Sequence, residues 1–149
     1  MKILFVCTGN ICRSPMAEAY FRDLCKKSKR NDIDVISAGI FAENNFSPSS
    51  EAVKIMSNYD IDISKYESRQ ITEELVKSSD LIVVMTKSHK KTILTSFSFV
   101  SNKIFLLHEF DNSKKDIFDP FGGNTDTYNK CFSEMKKALD NLFLDIDKL

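Results

Sequence analysis

The chain has 149 residues, enough for one domain spanning 1–149 with a core of its own and no need of a disulfide or metal staple. Lysine plus arginine total 21 and aspartate plus glutamate total 21, so the formal net charge is zero and no basic excess favours nucleic acid or an anionic membrane. The longest apolar runs are strand-length, short of the roughly 20 residues of a membrane span, and Met1 leads straight into one of them, which leaves no room for a signal peptide and predicts a cytoplasmic location.

Residues 2–7, KILFVC, form an apolar, β-branched run that reads as a buried strand. A short loop follows, and Pro15 suits the first turn of a helix, where its missing N–H costs nothing. Met16, Ala17, Tyr20, Phe21 and Leu24 then share one helical face, with Glu18 early and Lys26 and Lys27 late to complement the helix dipole. A second strand is predicted over 33–39, ending in Ser-Ala-Gly, and helices over 50–59 and 72–78. DLIVVM at 80–85 is the best strand in the chain. A helix over 87–97, a fourth strand over 103–107 and a closing helix over 126–148 complete the pattern. The closing helix turns Tyr128, Cys131, Phe132, Met135, Leu139, Leu142, Phe143 and Ile146 inward. Continuous apolar strands alternating with helices specify an α/β fold, a parallel sheet covered on both faces. Sites in such folds lie beyond the carboxyl ends of the strands, which gathers the loops after all four strands around Cys7.

The four cysteines, Cys7, Cys12, Cys25 and Cys131, form no CxxC pair, and His89 and His108 lie far from them in sequence. No metal site and no disulfide framework is expected. Cys7 ends a strand and precedes a helix, with Arg13 six positions on. The amides of Thr8, Gly9, Asn10, Ile11, Cys12, Arg13 and Ser14 can curl into a nest for an anion, with Gly9 free to take a positive φ and Asn10 tolerant of one. Amides and a guanidinium stabilise a thiolate, the nucleophilic form of cysteine. Arg13 presents a planar fork that matches two phosphoryl oxygens, and Ser14 can donate toward the sulfur or cap the helix. The plain alternative is a buried strand-end cysteine beside a surface arginine. A thiol nucleophile also needs an acid for its leaving group. Asp119, held extended by Pro120 in the turn DPFGG, is the candidate, with Asp116 as its rival.

VCTGNICRSPMAEA at 6–19 together with DPFGG at 119–123 resembles the low-molecular-weight protein-tyrosine phosphatases. The likeness extends through SAG at 37–39, DIDIS and SRQIT between 60 and 72, and DLIVVM at 80–85. It implies a three-layer fold with a four-stranded parallel sheet, phosphorylated proteins as substrates and no cofactor; the chain is expected to be a monomer. It also implies roles. Cys7 forms a phosphocysteine, Asp119 acts as general acid and then base, and Arg13 and the loop amides hold the phosphoryl group. Ser14 relieves the sulfur's charge as it leaves, Asn10 locks the loop, and Ser37 supports Asn10. Cys12 is the redox partner that forms a reversible disulfide with Cys7. Where many relatives carry a histidine before Arg69 and Gln70, this chain has Tyr66.

The substrate residue is the fork. CTGN, SAGIFA at 37–42, the run 73–90 and DPFGGNTDTYNK at 119–130 resemble the bacterial branch that acts on phosphoarginine. That branch carries threonine where this chain has Ile11, and an apolar side chain there suits an aryl phosphate. Phe41 and Phe121 are expected to wall an aromatic ring. The resemblance therefore implies a phosphotyrosine phosphatase, with protein-arginine phosphatase as the alternative. The thiol relay of an arsenate reductase would need further cysteines beyond the third strand, and with no cysteine between Cys25 and Cys131 a complete relay is missing. A non-catalytic anion-binding module would require Asp119 to lie away from Cys7.

Overall fold

The computed structural model describes residues 1–149. Four parallel strands, β1 (Lys2–Cys7), β2 (Asp34–Gly39), β3 (Leu81–Val84) and β4 (Ile104–Leu106), lie in the order β2-β1-β3-β4. β1 is therefore central, which explains why its side chains are apolar on both faces. Ile3, Phe5 and Cys7 face one core with Leu81 and Val83, and Leu4 and Val6 face the other with Ile82 and Val84.

The first core is closed by α1 (Arg13–Lys27), α2 (Ser50–Ser57) and α5 (Thr125–Asp145). The second lies under α3 (Glu73–Ser78) and α4 (Lys87–Ser96). The expected α/β architecture is present, and the element ends shift by a few residues. The α2 region stops at Ser57, and α5 hands over to a short 3₁₀ turn at Ile146–Lys148. The helix starts follow side-chain chemistry: Ser49, Thr72, Thr86 and Asn124 each accept a first-turn amide of the helix they precede. α1 has no such cap. Glu18 does not serve its dipole either, for it lies beyond the first turn, is buried, and burial pushes its carboxyl above the ordinary range. No helix is long and apolar enough to cross a membrane.

Two connections place chemistry at the carboxyl end of the sheet. Residues 8–12 join β1 directly to α1. The long loop after β4 is tethered where Ile117 N–H donates to Met85 O at 2.9 Å, with the Ile117 side chain buried. Both segments meet over the switch point between β1 and β3, where the strand order reverses.

Candidate active site

The loop after β1 is held by its carbonyls. Those of Cys7, Thr8, Ile11 and Cys12 accept from the amides of Ile40, Phe41, Ser49 and Met16 at 2.8 to 3.3 Å. None of the amides from Thr8 to Ser14 donates to a backbone or side-chain acceptor. Seven amides without a protein acceptor in one short loop form a set of donors that can receive an anion. Gly39 lets β2 run close beneath: a Cβ there would lie 2.5 Å from Thr8 O and 3.0 Å from Asn10 N. Of the two residues suited to a positive φ, Gly9 and Asn10, it is Asn10 that adopts one, with φ of 57°. Asn10 is held there by three hydrogen bonds, which offset the strain.

Those bonds fix the loop from behind. Asn10 Oδ1 accepts from the Arg69 amide at 3.0 Å, which sets the side-chain orientation. Its Nδ2 then donates to Ser14 Oγ at 2.8 Å and Ser37 Oγ at 2.9 Å. Ser37 supports Asn10 as the resemblance implies. Tyr66 does not: its hydroxyl accepts from Arg22 at 3.2 Å, and the Asn10 amide is satisfied without it. Ser14 Oγ lies 2.9 Å from Cys7 Sγ and 3.4 Å from Ala38 O. With one lone pair taken by Asn10, the Ser14 proton has two destinations, the sulfur or that carbonyl. It can turn to the sulfur when the sulfur is charged.

Cys7, Thr8, Gly9, Ile11, Cys12, Arg13, Asp119 and Phe121 line one cavity of about 190 Å³. Arg13 is 3% exposed, donates to Ile117 O at 2.8 Å, and lies 3.7 Å from Asp119. The carboxylate of Asp119 is thus near the cradle, and its other oxygen accepts from the Phe121 amide at 3.0 Å. Gly122, at φ of 82°, completes that turn. The rival Asp116 is engaged elsewhere, accepting from the Lys87 amide at 3.0 Å at the start of α4. The two aromatic walls separate. Phe121 lines the cavity, whereas Phe41 stands in the adjoining groove with Thr8, Arg13 and Asp119. A larger polar cavity, about 410 Å³, lies behind the loop around Glu18, Arg22, Ser37 and Arg69. It contains no thiol and is the rear of the scaffold.

Three participants escape a reading of the sequence. Ser49 and Tyr128 hold Cys12, whose sulfur lies 3.4 and 3.2 Å from their hydroxyls. Burial pushes the Cys12 thiol up, so Cys12 stays protonated, and the buried Tyr128 hydroxyl is pushed up to about 12. His89 is the third. It is buried, and its Nε2 lies 2.8 Å from Thr8 Oγ1. Burial first, and the Arg13 charge second, push it down from 6.5 to about 4. Between these two values the unfolded chain binds a proton that the folded chain refuses. His89 therefore costs no stability above about pH 6.5 and destabilises progressively as pH falls to about 4, by about 3 kcal/mol in all. Urea denaturation across this range is expected to show that slope in the wild type and to lose it in His89→Gln. An unchanged slope would remove His89 as its source.

A profile of the family described as "Low molecular weight phosphotyrosine protein phosphatase" matches residues 2–149. The chain belongs to that family. It is accordingly a hydrolase with cysteine-based catalysis. The chain is 40% identical to the protein-arginine-phosphatase of Bacillus subtilis, over 99% of its own length and 98% of the relative's. It is similar at a TM-score of 0.93 and 38% identity to a structure of the YwlE arginine phosphatase, a cysteine-to-serine mutant with a phosphorylated active-site serine, covering 99% of this chain and 97% of that one. It is equally similar to a low-molecular-weight protein-tyrosine phosphatase from T. tengcongensis, at a TM-score of 0.91 and 40% identity over 100% and 99% of the two chains. Overall likeness within this phosphatase family thus leaves tyrosine and arginine level.

Proposed function

We propose that the chain removes phosphate from phosphotyrosine in proteins through a phosphocysteine on Cys7. The observation that carries this is the make-up of the cavity, whose buried lining includes Cys7 and Arg13 and whose more exposed lining includes Ile11 and Phe121. Buried charge beside an apolar lining suits an aryl phosphate better than a guanidinium-linked one. The phosphorylated active-site serine of the YwlE mutant supports a covalent route.

In the first step Cys7 Sγ attacks phosphorus in line, and the bond to the phenolic oxygen breaks. Asp119 gives that oxygen its proton. Arg13 and the free loop amides bind the remaining oxygens as charge redistributes, in a site built before the substrate arrives. In the second step Asp119 takes a proton from water, water attacks phosphorus, and the thiolate leaves. The Ser14 hydroxyl, 2.9 Å from the sulfur, turns its proton toward the departing charge. We further propose that hydrogen peroxide oxidises Cys7 to a sulfenic acid, releasing water, and that the Cys12 thiol then attacks that sulfur, with loss of a second water, to give a disulfide. Both sulfurs line the same cavity. The four free cysteines suit a reducing, cytoplasmic setting.

The second reading, phosphoarginine, rests on the 40% identity to the Bacillus subtilis enzyme. A single comparison of kcat/KM on a phosphotyrosine and a phosphoarginine peptide separates the two. The wild type is expected to prefer phosphotyrosine. Ile11→Thr, which replaces an apolar contact with a hydroxyl, is expected to move the ratio toward phosphoarginine by roughly tenfold or more. A wild type that already prefers phosphoarginine would overturn the tyrosine assignment.

A further inference from the structure

We propose that the side-chain hydroxyl of Thr8 is a hydrogen-bond donor to the substrate's phosphoryl oxygens, and that His89 is the positioning residue that makes it one. The inference rests on the phosphate cradle described above and concerns a side chain, where that cradle was built from backbone amides and Arg13.

Thr8 Oγ1 has two protein neighbours within hydrogen-bond reach, Arg13 Nη2 at 3.3 Å and His89 Nε2 at 2.8 Å. A guanidinium only donates, so Thr8 accepts from Arg13. The direction of the second bond depends on the imidazole tautomer. His89 is 3% exposed, and its Nδ1 has no partner. If Nε2 accepted the threonine proton, Nδ1 would carry a hydrogen and an N–H would be buried without an acceptor. If Nε2 carries the hydrogen, the orphan at Nδ1 is a bare lone pair. Buried N–H groups without partners are the rarer and costlier case. The tautomer with hydrogen on Nε2 follows, and His89 donates to Thr8. The doubly protonated ring is not populated at neutral pH, since burial and Arg13 hold His89 near 4.

A hydroxyl accepts two hydrogen bonds and donates one. With Arg13 and His89 filling both acceptor positions, the Thr8 proton has no protein acceptor. Thr8 is half-buried and lines the cavity with Cys7 and Arg13, and its own carbonyl is pinned by the Phe41 amide at 2.9 Å. Its one remaining direction serves an oxygen bound in the cradle. A bond of this kind strengthens as negative charge builds on those oxygens.

The test uses p-nitrophenyl phosphate and orthovanadate, so its outcome is independent of whether tyrosine or arginine is the natural substrate. Thr8→Val is expected to lower kcat/KM by roughly 10- to 100-fold and to weaken vanadate inhibition in step. Thr8→Ser, which keeps the hydroxyl, should retain most activity. His89→Leu should match Thr8→Val, His89→Gln should restore much of the loss through its amide N–H, and the double variant Thr8→Val/His89→Leu should be no worse than either single one. Ring ¹⁵N shifts of the wild type are expected to report hydrogen on Nε2 near neutral pH. Activity of Thr8→Val within about twofold of wild type would overturn the proposal while leaving the Cys7 mechanism intact, and so would hydrogen on Nδ1. A wild type without phosphatase activity would instead remove the cradle reading on which it rests.

Discussion

Cys7→Ser is expected to abolish turnover, by on the order of 10⁴-fold or more, and to leave phosphate-analogue binding close to wild type. The substitution exchanges one atom, so the cradle survives it. The carbonyls of Cys7, Thr8, Ile11 and Cys12 remain tied to Ile40, Phe41, Ser49 and Met16, and Asn10 remains tied to Arg69, Ser14 and Ser37. The amides proposed to bind the oxygens stay where they were. What changes is the nucleophile. Serine attacks more slowly, because a hydroxyl gives up its proton far less readily than a thiol, and a phosphoserine once formed stays trapped, because an alkoxide leaves phosphorus poorly: the YwlE mutant carries its active-site serine phosphorylated. Isothermal titration with vanadate or phosphate, run beside an assay of phosphate release, separates the two effects. Retained hydrolysis at wild-type rates would mean that another group attacks phosphorus, and weakened binding without loss of the rate constant would make Cys7 a structural residue.

The parts of this site that the sequence announces are those whose meaning is local. Strand, loop and helix follow one another within residues 2–27, so Cys7, Arg13 and Ser14 declare their geometry through spacing alone. Asp119 and Pro120 form a turn whose chemistry is also local, although nothing in the spacing says that it reaches Arg13. That depends on Ile117, buried and bonded to Met85, which draws the loop back over the sheet. The residues that stay hidden are joined across long separations by packing. His89 reaches Thr8 from α4, and Tyr128 reaches Cys12 from α5. Tyr128 reads as an apolar position of an amphipathic helix, and it is one; its hydroxyl is an additional role that periodicity cannot reveal. Glu18 shows the opposite error. Its place early in a helix suggests a dipole contact, whereas the tertiary structure buries it beside the scaffold. The positive φ falls at Asn10 rather than Gly9 because Asn10 has three partners to hold it there.

Asp119→Ala is expected to act unequally on good and poor leaving groups. In the proposed role of general acid, Asp119 would supply a proton that a phenolate of low basicity scarcely needs and a basic one requires. The kcat/KM for phenyl phosphate should therefore fall by roughly 10²- to 10⁴-fold, and that for p-nitrophenyl phosphate by much less. This ratio reports only the steps up to formation of the phosphocysteine, so it isolates the acid role. The base role belongs to the second step and appears in kcat. With p-nitrophenyl phosphate the variant should form phosphocysteine readily and hydrolyse it slowly, giving a burst of p-nitrophenol equal to the enzyme present. Asp119 also accepts the Phe121 amide at 3.0 Å, so alanine loosens the turn that carries a cavity wall. Asp119→Asn keeps an acceptor for that amide and cannot exchange a proton. If both variants show the leaving-group dependence and the burst, the effect is chemical. If both lower the two substrates equally and without a burst, Asp119 shapes the turn and is not the acid. The carboxylate that remains near the site, Asp116, already serves the start of α4, and Asp116→Asn would then be the variant that decides whether it takes that place.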